Sequence, residues 1–232
     1  MGSPLKIMSR LDKFSNYLSV SVFVQRAYRE LDNIDKNDYF LRKGDGTKKF
    51  IDEILPLTAF LKHFERPGRR VKCRYFQDSQ NYDAKIKISG DEVDKGFIAG
   101  SYFVEVTLAE EEYIEHLRRE SLARYGFVFG GNNIRRIKNT RKGADLIESK
   151  PVGRDSDFPV KNAIELVKKA LEKKNQKVYP TLCILVVQVE PERTLSLSEW
   201  LILTKEIKSE VNRYKFQATY IVNWSTNIVF EV

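Results

Sequence analysis

Two segments decide the fold: Tyr82-Asp83-Ala84-Lys85-Ile86-Lys87-Ile88 and, after a loop rich in Gly and Asp, Tyr102-Phe103-Val104-Glu105-Val106-Thr107-Leu108. Side chains alternate faces along a strand. Asp83 therefore shares a face with Lys85 and Lys87, opposite Ala84, Ile86 and Ile88. In the second segment Tyr102, Val104, Val106 and Leu108 face one way, and Phe103, Glu105 and Thr107 the other. An acid interrupts each strand. A charge in a strand is ordinarily a solvated face. If the two strands are neighbours, however, both carboxylates reach one point, as a hard oxygen-seeking cation requires.

Ahead of this pair, Arg70, Lys72 and Arg74 alternate with Val71, Cys73 and Tyr75, just after Arg69. This predicts a half-buried strand with one very basic face, joined to the Asp83 strand as a hairpin. Before it, Phe50, Ile54, Leu57, Leu61 and Phe64 recur at helical spacing behind Thr47, a potential cap, with Pro56 expected to kink or divide the helix. Asp52 and Glu53 fall near the helix start, where the helix dipole favours acids. Residues 1–46 read as an N-terminal helical extension with a polar connector, and residues 47–232 as the α/β domain.

Beyond Glu105, an acidic start and a basic finish, Glu110 to Arg124, predict another helix. Residues 126–157 form a basic insertion with Arg135, Arg136, Lys138, Arg141 and Lys142 beside glycines and amides, expected as an exposed surface. An amphipathic helix follows from Val160 to Lys174. Leu182-Cys183-Ile184-Leu185-Val186-Val187-Gln188-Val189 then has the continuous apolar run of a central strand covered on both faces. A helix from Ser198 and a closing hairpin, 218–223 with 228–232, complete an α/β chain whose mixed β-sheet is flanked by helices.

Composition limits the function. The 232 residues carry 40 Lys and Arg against 32 Asp and Glu, a net charge of +8, which favours a polyanionic partner. Apolar runs are too short to span a bilayer, and the N-terminus lacks a signal pattern, so no membrane partner and a cytoplasmic location are expected. Two histidines and two distant cysteines exclude a Cys/His zinc site and leave the cysteines as reduced core residues.

The order helix, three strands, helix, buried strand, together with Tyr82-Asp83 and Glu105-Val106-Thr107, resembles the PD-(D/E)XK nuclease superfamily, with a restriction-endonuclease-like core spanning about Thr47 to Glu190. Tyr82-Asp83 stands where the family has Pro-Asp, and Glu105-Val106-Thr107 where it has Glu-x-Lys. The resemblance implies a nuclease that hydrolyses phosphodiester bonds using Mg2+ or Mn2+ held by Asp83 and Glu105, with Glu53 as accessory carboxylate and Asp52 an equal geometric candidate. Thr107 departs from the family lysine, because a hydroxyl cannot supply positive charge, and Lys85 is the candidate replacement. The implied partner is nucleic acid, DNA ahead of RNA, contacted by Arg69, Arg70, Lys72, Arg74, Arg135, Arg136, Lys138, Arg141 and Lys142; a homodimer is left open. The alternatives are an inactive nucleic-acid-binding module on the same fold and an assembly protein with a basic surface.

Overall fold

The computed structural model describes residues 9–44, 46–77, 80–129, 133–138, 145–191, 193–211 and 213–232. In chain order, a short 3-10 turn (Arg10–Phe14) leads to strand β1 (Leu18–Ser19), helices α1 (Val20–Asp32) and α2 (Lys36–Leu41), and a long helix, α3, over residues 47–64. Strands β2 (Arg70–Tyr75) and β3 (Ala84–Ser89), helix α4 (Asp91–Asp94), strand β4 (Ser101–Ala109) and helix α5 (Glu112–Tyr125) follow. Then come β5 (Ile134–Ile137), β6 (Leu146–Ser149), α6 (Phe158–Asn175), β7 (Cys183–Val189), α7 (Leu197–Val211), β8 (Ala218–Asn223) and β9 (Ile228–Glu231).

Seven strands form one mixed sheet in the order β1-β2-β3-β4-β7-β8-β9. β1 to β4 pair antiparallel, β4-β7-β8 are parallel, and β9 returns antiparallel on β8. The parallel pairs require crossovers: α5, the β5–β6 hairpin and α6 lie between β4 and β7, and α7 lies between β7 and β8.

The sheet has two unlike faces. Its inner face, with Val71, Cys73, Ala84, Ile86, Val104 and Val186, packs on Phe23 and Ala27 of α1 and on Ile54, Leu57 and Leu61 of α3. Leu11, Phe14 and Val20 enter the same core, so residues 9–32, read as an extension, are built into the main body. On the outer face, Leu185, Val187 and Ile221 pack under Val167 and Leu171 of α6 and Leu203 and Ile207 of α7. That cover lies over β4, β7 and β8; the outward residues of β2, namely Arg70, Lys72 and Arg74, are exposed.

The helical hydrogen bonding of α3 changes just before Pro56. Residues Phe50–Ile54 form a π turn, with Leu55 N–H donating to the Phe50 carbonyl. Pro56 cannot donate to the carbonyl of Asp52 and would crowd it in a regular helix; the widened turn just before it relieves the conflict. Thr47 does not cap. Gly46, at φ 71°, precedes the helix, and the buried Thr47 hydroxyl accepts from Arg10 Nη1 at 2.9 Å. Both cysteines are buried and free. Among the described residues, no helix is long and apolar enough to cross a membrane.

Candidate active site

β3 and β4 stop pairing at Ala84↔Val104. One residue earlier, Asp83 N–H donates to the Val104 carbonyl at 2.9 Å, off the ladder's register, and Phe76 N–H donates to the Asp83 carbonyl at 2.8 Å. The strands part here, which frees the inner stretch of β4. Val106 N–H, left without a β3 partner, donates to Asp83 Oδ2 at 2.7 Å. A buried N–H needs an acceptor, so this bond fixes the Asp83 carboxylate beside β4.

Glu105, 5% exposed, projects from the outer face of β4 and is ion-paired with Lys174 in the last turn of α6. Glu53, on the π turn of α3, accepts a hydrogen bond from the Tyr75 hydroxyl at the end of β2. Three elements thus bring three carboxylates within electrostatic reach. Burial, then the Glu53 charge, then that of Glu105 push Asp83 up to about 8, against the Val106 N–H and Lys174, which pull it down. Glu53 is raised too, chiefly by burial, with Asp52 and Glu105 adding to it and the Tyr75 bond opposing it. The half-buried Tyr179 hydroxyl is raised by burial and then by the Glu105 charge. A deficit of positive charge marks the cluster.

The remaining expected residues divide. Asp52 is not equivalent to Glu53: it is 7% exposed and ion-paired with Arg42 at 3.1 Å. Thr107 is half-buried on β4, opposite Val187. Lys85 lies with its ammonium 4.7 Å from the Phe103 ring centre and, among the described residues, has no ion pair with Asp83 or Glu105. The ammonium at the carboxylates belongs to Lys174 instead. Sequence reasoning passed over it because Lys173 and Lys174 end a helix, where lysines ordinarily complement the dipole; Tyr75 carried no signal beyond its place in a strand.

The expected phosphate-binding cations also divide. Arg70, Lys72 and Arg74 are exposed on one strand face. Arg69 is a correction, since it precedes β2, is 8% exposed, donates from Nε to Glu92 at 2.7 Å and stacks over Phe64 at 4.6 Å. Its guanidinium is occupied by the fold. The insertion holds the β5–β6 hairpin, where Arg135 pairs with Glu148 at 2.7 Å and Arg136 with Glu120 and Asp145. Ile134 and Ile147 anchor the hairpin on Leu117 of α5. Lys138 is exposed, and Arg141 and Lys142 lie outside the described residues.

Among the described residues, no group of three or more His, Cys, Asp or Glu side chains converges tightly enough to hold a metal ion unaided. The donor chemistry at Asp83 and Glu105 is hard oxygen. Hard oxygen donors are the class that Mg2+ and Mn2+ prefer. No protein-family model matches the chain, and neither do curated proteins or solved structures.

Proposed function

We propose that the chain is a metal-dependent nuclease of restriction-endonuclease-like architecture that hydrolyses phosphodiester bonds through Asp83 and Glu105. The observation that carries this reading is the electrostatic influence of Glu53 and Glu105 on the buried Asp83 where β3 and β4 part, which together with burial raises Asp83 to about 8. Such a surplus of negative charge on oxygen donors suits a divalent cation. The order of helix, strands and crossovers also agrees with that architecture.

In this reading Asp83 and Glu105 would hold the ion, with the Asp83 carboxylate fixed beside β4 by the Val106 N–H. Once bound, the ion supplies a water of lowered pKa and offsets charge on the phosphate. Tyr75 orients Glu53 as the accessory carboxylate. Lys174, ion-paired with Glu105, would supply the positive charge that Thr107 lacks and offset charge on the phosphate oxygens. The binding-only alternative draws on one observation: all three carboxylates already have protein partners, Val106 N–H, Lys174 and Tyr75.

Incubation with single- and double-stranded DNA and RNA in Mg2+ or Mn2+ separates the two. The nuclease reading expects cutting that stops in chelator and falls at least a hundredfold in Asp83→Asn and Glu105→Gln, with both variants folded by circular dichroism. Cutting that survives in those variants rules out the site. Absence of cutting by the wild-type protein with every substrate and metal leaves the binding module.

A further inference from the structure

The outer face of β2 and β3 is a surface of cations and rings. Register sets Arg70 opposite Ser89, Lys72 opposite Lys87 and Arg74 opposite Lys85. Two like-charged pairs therefore stand directly across from one another, an arrangement that destabilises a sheet. No acid on that face of either strand relieves it, and β1 adds only Ser19, opposite Lys72. A fold that tolerates this repulsion on an uncovered face presents it to something anionic.

The rings narrow the choice. Phe76, Tyr82 and Phe103 form a continuous aromatic cluster, with centroids 5.4 Å and 4.6 Å apart. Arg74 lies over Phe76 at 4.6 Å, Lys85 over Phe103 at 4.7 Å, and Lys87 over Tyr17 at 4.3 Å. Charge and π surface are interleaved, and the cluster includes Tyr82, the residue next to Asp83. A duplex buries its base faces and would use only the charges. An extended single strand offers phosphates and bare base faces side by side, and a sheet presents same-face side chains about 7 Å apart along each strand to meet them.

We infer that this face binds an extended single-stranded polynucleotide, its phosphates on Arg70, Lys72, Lys87 and Arg74 and its bases against the Phe76–Tyr82–Phe103 cluster. This deepens the nuclease reading by naming its substrate class, and it rests on that reading for the strand's course toward Asp83. Binding itself requires no metal.

The experiment is fluorescence anisotropy in chelator, with oligo-dT, oligo-U and a hairpin duplex as probes and polyglutamate as competitor. Either single strand should bind about tenfold more tightly than the duplex, and the better of the two identifies DNA or RNA. The exposed double variant Lys72→Ala/Lys87→Ala should weaken single-strand binding about tenfold and flatten its salt dependence. Tyr82→Leu should weaken single-strand binding several-fold without changing the duplex. Equal or tighter duplex binding, an unaffected double variant, or displacement by polyglutamate at equal charge overturns the inference. Single-strand binding without any cutting in metal overturns only the nuclease reading; cutting without single-strand preference overturns only this one.

Discussion

The two halves of the sheet's outer face contrast sharply. Under α6 and α7 it is apolar, and the charge pair on β4, Glu105 with Lys174, is closed in. Over β2 and β3 the same strand alternation turns Arg70, Lys72, Arg74 and Lys87 into solvent. A charge in the covered half is held by a protein partner, whereas a charge in the open half stands in solvent. Asp83 stands on the boundary, which is why burial and neighbouring charge both act on it.

The sharpest way to break this contrast is Lys174→Ala. Removing one partner of a buried pair strands the other charge, so urea melts at neutral pH should show a loss of about 3–5 kcal/mol. Lys174→Arg should recover most of that loss. A smaller effect is expected at the boundary. Because the folded-state pKa of Asp83 is raised to about 8 from 3.8, its contribution is present below pH 3.8 and is lost as pH rises through 8. Asp83→Asn should therefore raise Tm in chelator at pH 9 by at least about 2–4 °C, more than about 1 kcal/mol, with the gain vanishing near pH 4. A thermal shift that is flat with pH would place Asp83 in solvent. The smallest changes belong to the open half, where Lys72→Ala should alter stability by no more than about 0.5 kcal/mol. Arg135→Ala in the hairpin should do the same to stability and leave the salt slope of polynucleotide binding unchanged, since its guanidinium is held by Glu148.

Much of this architecture was legible in residue order. The apolar run of β7, the alternation of β2, β3 and β4 and the helical spacing of α3 and α6 are local patterns, and the structure follows them to within a residue or two. What was not legible depends on docking. Arg69 and Arg70 are adjacent, yet one stacks on Phe64 and the other is solvated, because the strand begins between them. Lys174 differs from Lys173 only in the phase at which α6 meets β4. Asp52 and Glu53 are separated by the phase of the π turn. The β5–β6 hairpin escaped because its strands are four residues each, set among glycines and amides that also mark loops.

The π turn of α3 has a genetic consequence. A helix with one residue too many per turn behaves as though a codon had been inserted, and everything upstream is rotated by about 100° relative to a regular helix. Pro56→Ala with no deletion would remove the reason for the widened turn and let it close to an ordinary helix, with the residues upstream in the wrong angular phase. Glu53 would turn away from Tyr75 while α3 still covered the sheet. The place of the Glu53 carboxylate beside Tyr75 is thus encoded as much by an extra residue as by the identity of the acid.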